Sequence, residues 1–183
     1  MTETWNIRQA IAGDEKNLAH LHVQGWRDAY GGLIDQSFLD SLDENDRAEK
    51  WTQWLKETHG PVLMAFDAGN KPAGFVNFGK LRTPLPGQSA IRPLYTGEIY
   101  AIYILAPYWR KGLGRALMRA AAEGLASQKH KSMCLWVLEG NERAIGFYKA
   151  LGGQRCGKKE IEIAGSTRTE LCFGWRNTDP LRN

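Results

Sequence analysis

Cysteine is scarce and unpatterned: there are three, Cys134, Cys156 and Cys172, an odd number without the close paired spacing of a zinc site. Nothing near them suggests a disulfide-stapled secreted framework, so reduced cytosolic thiols are expected. No apolar run approaches the roughly 20 residues that cross a bilayer, and "MTETWNIRQA" lacks the basic start and apolar core of a secretion signal. A cytoplasmic protein with no membrane partner is the expectation. The four histidines, His20, His22, His59 and His130, have neither metal-ligand spacing nor a triad partner. They are assigned to surface or packing roles, and no metal is expected. A basic tail is missing too: the net charge of +4 comes from bases spread along the chain, a poor footprint for nucleic acid.

What is present fits one domain. A chain of 183 residues with 43% hydrophobic content can bury a sizeable core without staples. The domain is expected over residues 1–176, with 177–183 as a polar tail. "WNIRQAI" alternates as a first strand, and Gly13-Asp14 offers a turn and a cap before a helix on which Leu18, Leu21, Gly25 or Trp26, and Ala29 are spaced helically. Gly31-Gly32 ends that helix, Asp35 can cap a short one carrying Phe38, Leu39 and Leu42, and a third from about Asn45 to Thr58 would bury Ala48, Trp51 and Leu55. "PVLMAFDA" and "AGFVNFGKLR" read as a hairpin, and Thr83 to Gly97 as a long loop.

"EIYAIYIL", from Glu98, is apolar on both faces, as is the later "MCLWVL"; each reads as a strand covered on both sides. Between them runs a helix with the stripe Leu113, Leu117, Ala120, Ala121 and Leu125, so the three make a parallel βαβ crossover. Another helix starts at Asn141 with Ala144, Phe147, Tyr148 and Leu151 on one stripe, and a last hairpin closes around "AGST". The fold class is α/β, a mixed and mostly antiparallel sheet with a central parallel βαβ crossover and helices on both faces.

The crossover helix opens with "RKGLGR". Backbone amides at a helix start lack intrahelical acceptors and carry partial positive charge, so an anion belongs there. Gly112 and Gly114 would let a diphosphate approach the backbone, and Arg110, Lys111 and Arg115 would neutralise it. The pattern is neither a Walker A loop nor the dinucleotide fingerprint, whose third glycine would fall at Leu117. A basic loop entering a surface helix accounts for the hexapeptide equally well.

Two motifs in order, "IYILAPYWRKGLGRAL" and "LWVLEGNERAIGFYKALGG", resemble the GCN5-related N-acetyltransferase (GNAT) superfamily, firmly over about Tyr95 to Gly153 and by layout before it. The resemblance implies the acyl-CoA N-acyltransferase fold and acetyl-CoA (coenzyme A) as cosubstrate. Its diphosphate would be wrapped by the backbone amides of Arg110, Lys111, Gly112, Leu113, Gly114 and Arg115. Ile102, Tyr103 and Ile104 match the strand that bonds the pantetheine arm, Asn141 matches an asparagine near that arm, and Tyr148 matches the tyrosine beside the thiol. Trp109 stands where the family prefers Gln or Arg, and Pro107 lies one place late.

Tyr148 would protonate the departing thiolate, though by period alone it is a core aromatic; Asn141 is equally an N-cap. Glu98 would be the base, directly or through a water, or simply a solvated acid at a strand mouth. Trp136 occupies the place where the family's ribosomal-protein acetyltransferases carry a glutamate, which argues against their peptide chemistry. "QGWRDAYGGLI" is similar to the "WRxxYxGL" segment of small-molecule members, which implies Trp26, Arg27 and Tyr30 at the acceptor, although Trp26 and Tyr30, four apart on a helix, are also a common buried pair. The expected function is N-acetyl transfer to a small-molecule amine in a ternary complex. A protein lysine or N-terminal acceptor, or a non-catalytic coenzyme A-binding module, are the alternatives, and a homodimer is compatible with the family.

Overall fold

The computed structural model describes residues 4–57, 60–82, 85 and 94–182. Most of the loop expected between Thr83 and Gly97, and His59, lie outside them. In chain order the elements are β1 (Asn6–Gln9), α1 (Glu15–Tyr30), α2 (Gln36–Ser41), α3 (Glu44–Lys56), β2 (Val62–Phe66), β3 (Pro72–Lys80), β4 (Gly97–Ile104), α4 (Leu113–Ser127), β5 (Met133–Leu138), α5 (Glu142–Ala150), β6 (Gln154–Ile163), β7 (Ser166–Trp175) and α6 (Asp179–Arg182). Seven strands form one sheet in the order β1-β2-β3-β4-β5-β7-β6. Among the described strands only β4 and β5 pair parallel, which is the expected crossover through α4.

Local chemistry sets most boundaries. Asp35 and Asp43 cap α2 and α3, each side chain accepting from two backbone amides. Asp14 precedes α1 but does not cap it; its carboxylate takes both Arg8 nitrogens at 2.7 and 2.9 Å and the Ile11 amide at 2.9 Å. The expected N-cap is thus a strand-to-helix clamp. The hydrogen bond from Arg8 holds the Asp14 carboxyl below its ordinary range, helped by the Ile11 amide and the Arg8 charge and opposed by burial. At the other end, Ala164 and Gly165 both take positive φ and turn β6 into β7.

Helices cover both faces. Leu113, Leu117, Met118, Ala121, Ala122 and Leu125 of α4 join Phe78, Ile99, Leu135, Val137 and Tyr148 in one core. Across the sheet, Leu18 and Leu21 of α1 and Trp51 of α3 pack with Met64, Phe66 and Phe75. Each buried Leu or Met contributes roughly 1.5–3 kcal/mol, so both layers are held mainly by these stripes. The presumed polar tail differs from expectation: Thr178 and Leu181 are buried, and α6 packs on α4. The one apolar residue in "RNTDPLRN" gives that segment an anchor.

Close packing makes two helical glycines opposite in kind. A Cβ on Gly124 would stand 2.4 Å from Cζ of the buried Phe78, whereas one on Gly146 would meet nothing within 4 Å. Gly124→Ala is expected to destabilise by about 1–3 kcal/mol, and Gly146→Ala to stabilise by about 0.5–1 kcal/mol through helix propensity. Denaturant titration of both variants checks the pair; shifts of one sign would contradict the packing argument.

Candidate active site

The centre of the sheet comes apart at β4. Its parallel register with β5 runs only over Gly97, Glu98 and Ile99, and the register against β3 then skips Tyr100, with Asn77 opposite Ala101 and Phe78 opposite Ile99. This one-residue bulge re-aims the strand. Ile99 packs into the α4 core, while beyond the bulge Ile102 and Ile104 do so and Ala101 and Tyr103 turn to the α1 side. Alternation therefore places Glu98 on the α1 face with Ala101 and Tyr103, which an unbroken strand would not do. The expectation that β4 is covered on both sides holds only to Ile99: residues 100–104 are half-exposed along the gap.

That gap holds a cavity of about 930 Å³. Leu105 donates its amide to Ala73 of β3 at 3.0 Å, so by antiparallel alternation Tyr103 and Ala101 also spend their backbone groups on β3, and Ile102 and Ile104 face the gap. Of the three expected strand positions, Ile102 and Ile104 offer backbone there and Tyr103 offers its side chain instead. The Ile104 carbonyl accepts from Trp109 Nε1 at 2.7 Å, and Trp109 in turn lies under the Arg143 guanidinium, 3.3 Å from its ring centroid. The unexpected residue of the turn thus fastens it to the strand.

At the gap's far rim α4 begins with no side-chain cap. Gly112 has φ +86° with open space where a Cβ would be, so its need is conformational, and Arg110 is also left-handed at +60°. Gly114 answers a different demand: a Cβ there would come within 2.9 Å of Phe147 on α5. Arg110, Gly112, Gly114 and Arg115 line the cavity. Leu113 does not, its side chain being fully buried in the core, and the Lys111 ammonium lies 5.9 Å from the Tyr108 ring. Uncapped amides beside a strand edge with open N–H and C=O groups fit an extended amide chain ending in a diphosphate.

Asn141 and Tyr148 reach the same cavity from α5. The Asn141 carboxamide oxygen accepts from the Ala144 amide at 3.2 Å, so it is an N-cap, and its NH₂ has no protein partner among the described residues. Tyr148 is 7% exposed, and its hydroxyl makes no hydrogen bond among the described residues. Burial, then the neighbouring Tyr30, pushes its pKa up, so the phenol keeps its proton at neutral pH. Glu98 is 4% exposed and accepts from the Arg82 amide at 2.7 Å; a solvated acid at a strand mouth is not what the fold makes of it.

A second cavity of about 550 Å³ opens on the α1 side, and Tyr30, Arg82, Tyr100, Ala101, Tyr103 and Glu170 line both. Tyr30 and Tyr103 join hydroxyls at 3.2 Å in that shared wall. Trp26 lines the second cavity. Arg27 lines neither: it donates to the carbonyls of Leu39 at 3.1 Å and Leu42 at 2.9 Å, tying α1 to the end of α2. Sequence reasoning missed His22, Trp54 and Glu170. His22 is four residues before Trp26 and eight before Tyr30, a stripe that was there to be read; Glu170 carried no signal, since only the β6–β7 register sets it opposite Lys159, 3.2 Å away.

His22 sits among five rings, with Tyr103 nearly parallel at 5.4 Å. Burial, then the charges of Arg47 and Lys50, lowers its pKa to about 3. The unfolded chain takes up a proton near pH 6.5 that the folded ring refuses until about 3, so stability must fall as pH drops through that window. Between pH 7 and pH 5 the loss attributable to His22 is about 2 kcal/mol. Urea unfolding of the parent and of His22→Phe at both pH values measures it; equal pH slopes would show that His22 is not held neutral.

Comparison with known proteins agrees with this geometry. The acetyltransferase (GNAT) family profile matches residues 26–152. The uncharacterized N-acetyltransferase YuaI of Bacillus subtilis (strain 168) is 35% identical over 176 residues, 96% of this chain and 95% of its own. Among solved structures, yncA of Salmonella typhimurium, determined with acetyl-CoA, superposes with a TM-score of 0.66 at 18% identity, covering 94% of this chain and 93% of its own. An N-acetyltransferase from Staphylococcus aureus Mu50 gives 0.66 at 16%, covering 94% and 98%. These two share the fold. With the split sheet, the uncapped turn and the profile match in agreement, the chain belongs to the acetyltransferase (GNAT) family.

Proposed function

We propose that this chain moves an acetyl group from acetyl-CoA to the primary amine of a small molecule by direct transfer, both substrates being bound together. The supporting observation is the wall shared by the two cavities, where Tyr30, Tyr103 and Glu170 face both; a donor in one and an acceptor in the other would meet there without a covalent enzyme intermediate. When bound, acetyl-CoA supplies an activated acetyl thioester. The amides opening α4 hold its diphosphate, Ile102 and the NH₂ of Asn141 bond its arm, and Arg110 and Arg115 offset its charge. Lys111 contributes its amide and field, and Leu113 its amide alone.

Tyr148 delivers its proton to the sulfur that leaves as the carbon–nitrogen bond forms, and Glu98 takes, directly or along a water, the proton the amine must shed. A small acceptor is favoured over a protein lysine or N-terminus because the second cavity, about 550 Å³, is floored by the buried His22, Trp51, Val62 and Leu138 and ringed by half-buried aromatic side chains.

Tyr148→Phe should keep coenzyme A affinity and lower turnover by about 10²-fold, the scale of one proton donor; unchanged turnover would leave Tyr148 a packing residue. An amine with a pKa near that of lysine, about 10.4, is almost wholly protonated at pH 7. Glu98→Gln should therefore depress kcat/KM most at neutral pH and less as the amine deprotonates unaided. A pH series at two salt concentrations reads this: a loss independent of pH removes the base role, and a salt-sensitive KM effect makes Glu98 an attractant only.

A further inference from the structure

We propose that the acceptor is a primary amine carried on an aromatic body, an arylalkylamine whose ring fills the cavity between α1, α3 and the β6–β7 hairpin and whose nitrogen reaches Glu170. The inference rests on the small-amine reading above and names its substrate class.

Three of the chain's seven tryptophans, Trp26, Trp51 and Trp54, line this one cavity with His22 and Tyr103. They are set at angles to one another, Trp51 to Trp54 edge-to-face at 5.1 Å and Trp54 to His22 tilted at 6.3 Å. Walls of ring edges and faces favour a planar guest, because ring pairs gain attraction beyond the area they bury. At about 550 Å³ the cavity has the size of small-molecule sites. It also lies between two apolar clusters, one of α1, α3 and β2–β3, the other of Ile34, Leu39 and Leu138 with Ile163 against them.

Charge is distributed along it unevenly. The carboxylate, Glu170, is in the wall shared with the donor cavity, beside Tyr30 and ion-paired with Lys159. The Arg47 guanidinium stands 5.9 Å from the Trp54 ring, and the fields of Arg47 and Lys50 act on His22. Glu170 is the lining carboxylate that can attract one ammonium, while Arg82 in the same wall and Arg47 and Lys50 nearby repel a further cation. That pattern disfavours diamines and polyamines. His22 supplies a further argument: its Nδ1, like Nε1 of Trp26 and Trp51, is buried with no hydrogen-bond partner among the described residues, so the ring wall offers polar points to a guest between its aromatic faces.

The full chain with acetyl-CoA, assayed by thiol release, tests this against phenethylamine, tryptamine, hexylamine, spermidine and a lysine peptide. The expected result is a kcat/KM for phenethylamine or tryptamine at least 10-fold above hexylamine and 100-fold above spermidine. Trp54→Ala should raise the KM for the preferred arylamine at least 10-fold while calorimetry with coenzyme A is unchanged. Ile163→Trp, which fills the cavity from the hairpin and leaves the α1–α3 core alone, should do the same. Preference for hexylamine or spermidine overturns the aromatic assignment and leaves small-amine transfer standing. Turnover of the peptide alone overturns both, as does coenzyme A binding with no turnover of any amine.

Discussion

A sheet interior is where backbone hydrogen bonds are normally complete, and the middle of this sheet leaves them incomplete. After Ile99 the β4 edge faces β5 across a gap instead of pairing with it. Each backbone group left dry there would cost roughly 1–3 kcal/mol, so the gap must be filled by water or by a ligand with its own amides. The remaining features follow from that requirement. Tyr100 bulges to start the divergence, α4 starts uncapped at the gap's rim, and Trp109 satisfies the Ile104 carbonyl that the missing strand would have taken. The free energy withheld from the sheet is available for binding.

The bulge also settles which side chains work together. A regular β4 would have put Glu98 and Ile102 on one face; with Tyr100 inserted, Glu98 shares the α1 face with Ala101 and Tyr103, while Ile102 and Ile104 stay with α4. One extra residue thus gives the larger cavity an apolar bed of Ile102 and Ile104 on one side and turns Glu98 to the other. Tyr148, arriving from the α4 side, meets Tyr30 and Tyr103 across the opening, which is why each of the three phenols feels another. None of this depends on a loop: strands and helices carry every group named.

Periodicity made the architecture legible. Strand, helix and strand around the crossover, the caps at Asp35 and Asn141, and both hairpins follow from residues a few positions apart, and the structure places them where expected. Legibility failed where a residue's meaning depends on a distant partner. Gly112 and Gly114 look alike in "RKGLGR", yet one serves a left-handed φ and the other makes room for Phe147 on another helix. Arg27 belongs to a motif that suggested the acceptor, but the carbonyls at the end of α2 claim it. Glu170 becomes significant only once β7 inserts between β5 and β6, an ordering no local pattern encodes.

One helix borders both cavities. His22, Trp26 and Tyr30, at four-residue spacing along α1, line the smaller one, and Tyr30 also faces the larger. Asp28 on the same helix accepts from the Ala106 amide at 2.8 Å, fixing the segment that leads into the α4 turn, and is itself held by Gln24 at 2.8 Å. Gly25 lies between, where a Cβ would stand 2.7 Å from that of Tyr103, so α1 can lie against β4 only because that position is bare. An α-helix transmits such constraints as a rigid rod, 1.5 Å per residue. The separation between the ring-lined cavity and the α4 turn is therefore set within α1, and the shared wall of Tyr30 and Tyr103 is where its geometry brings the two cavities together.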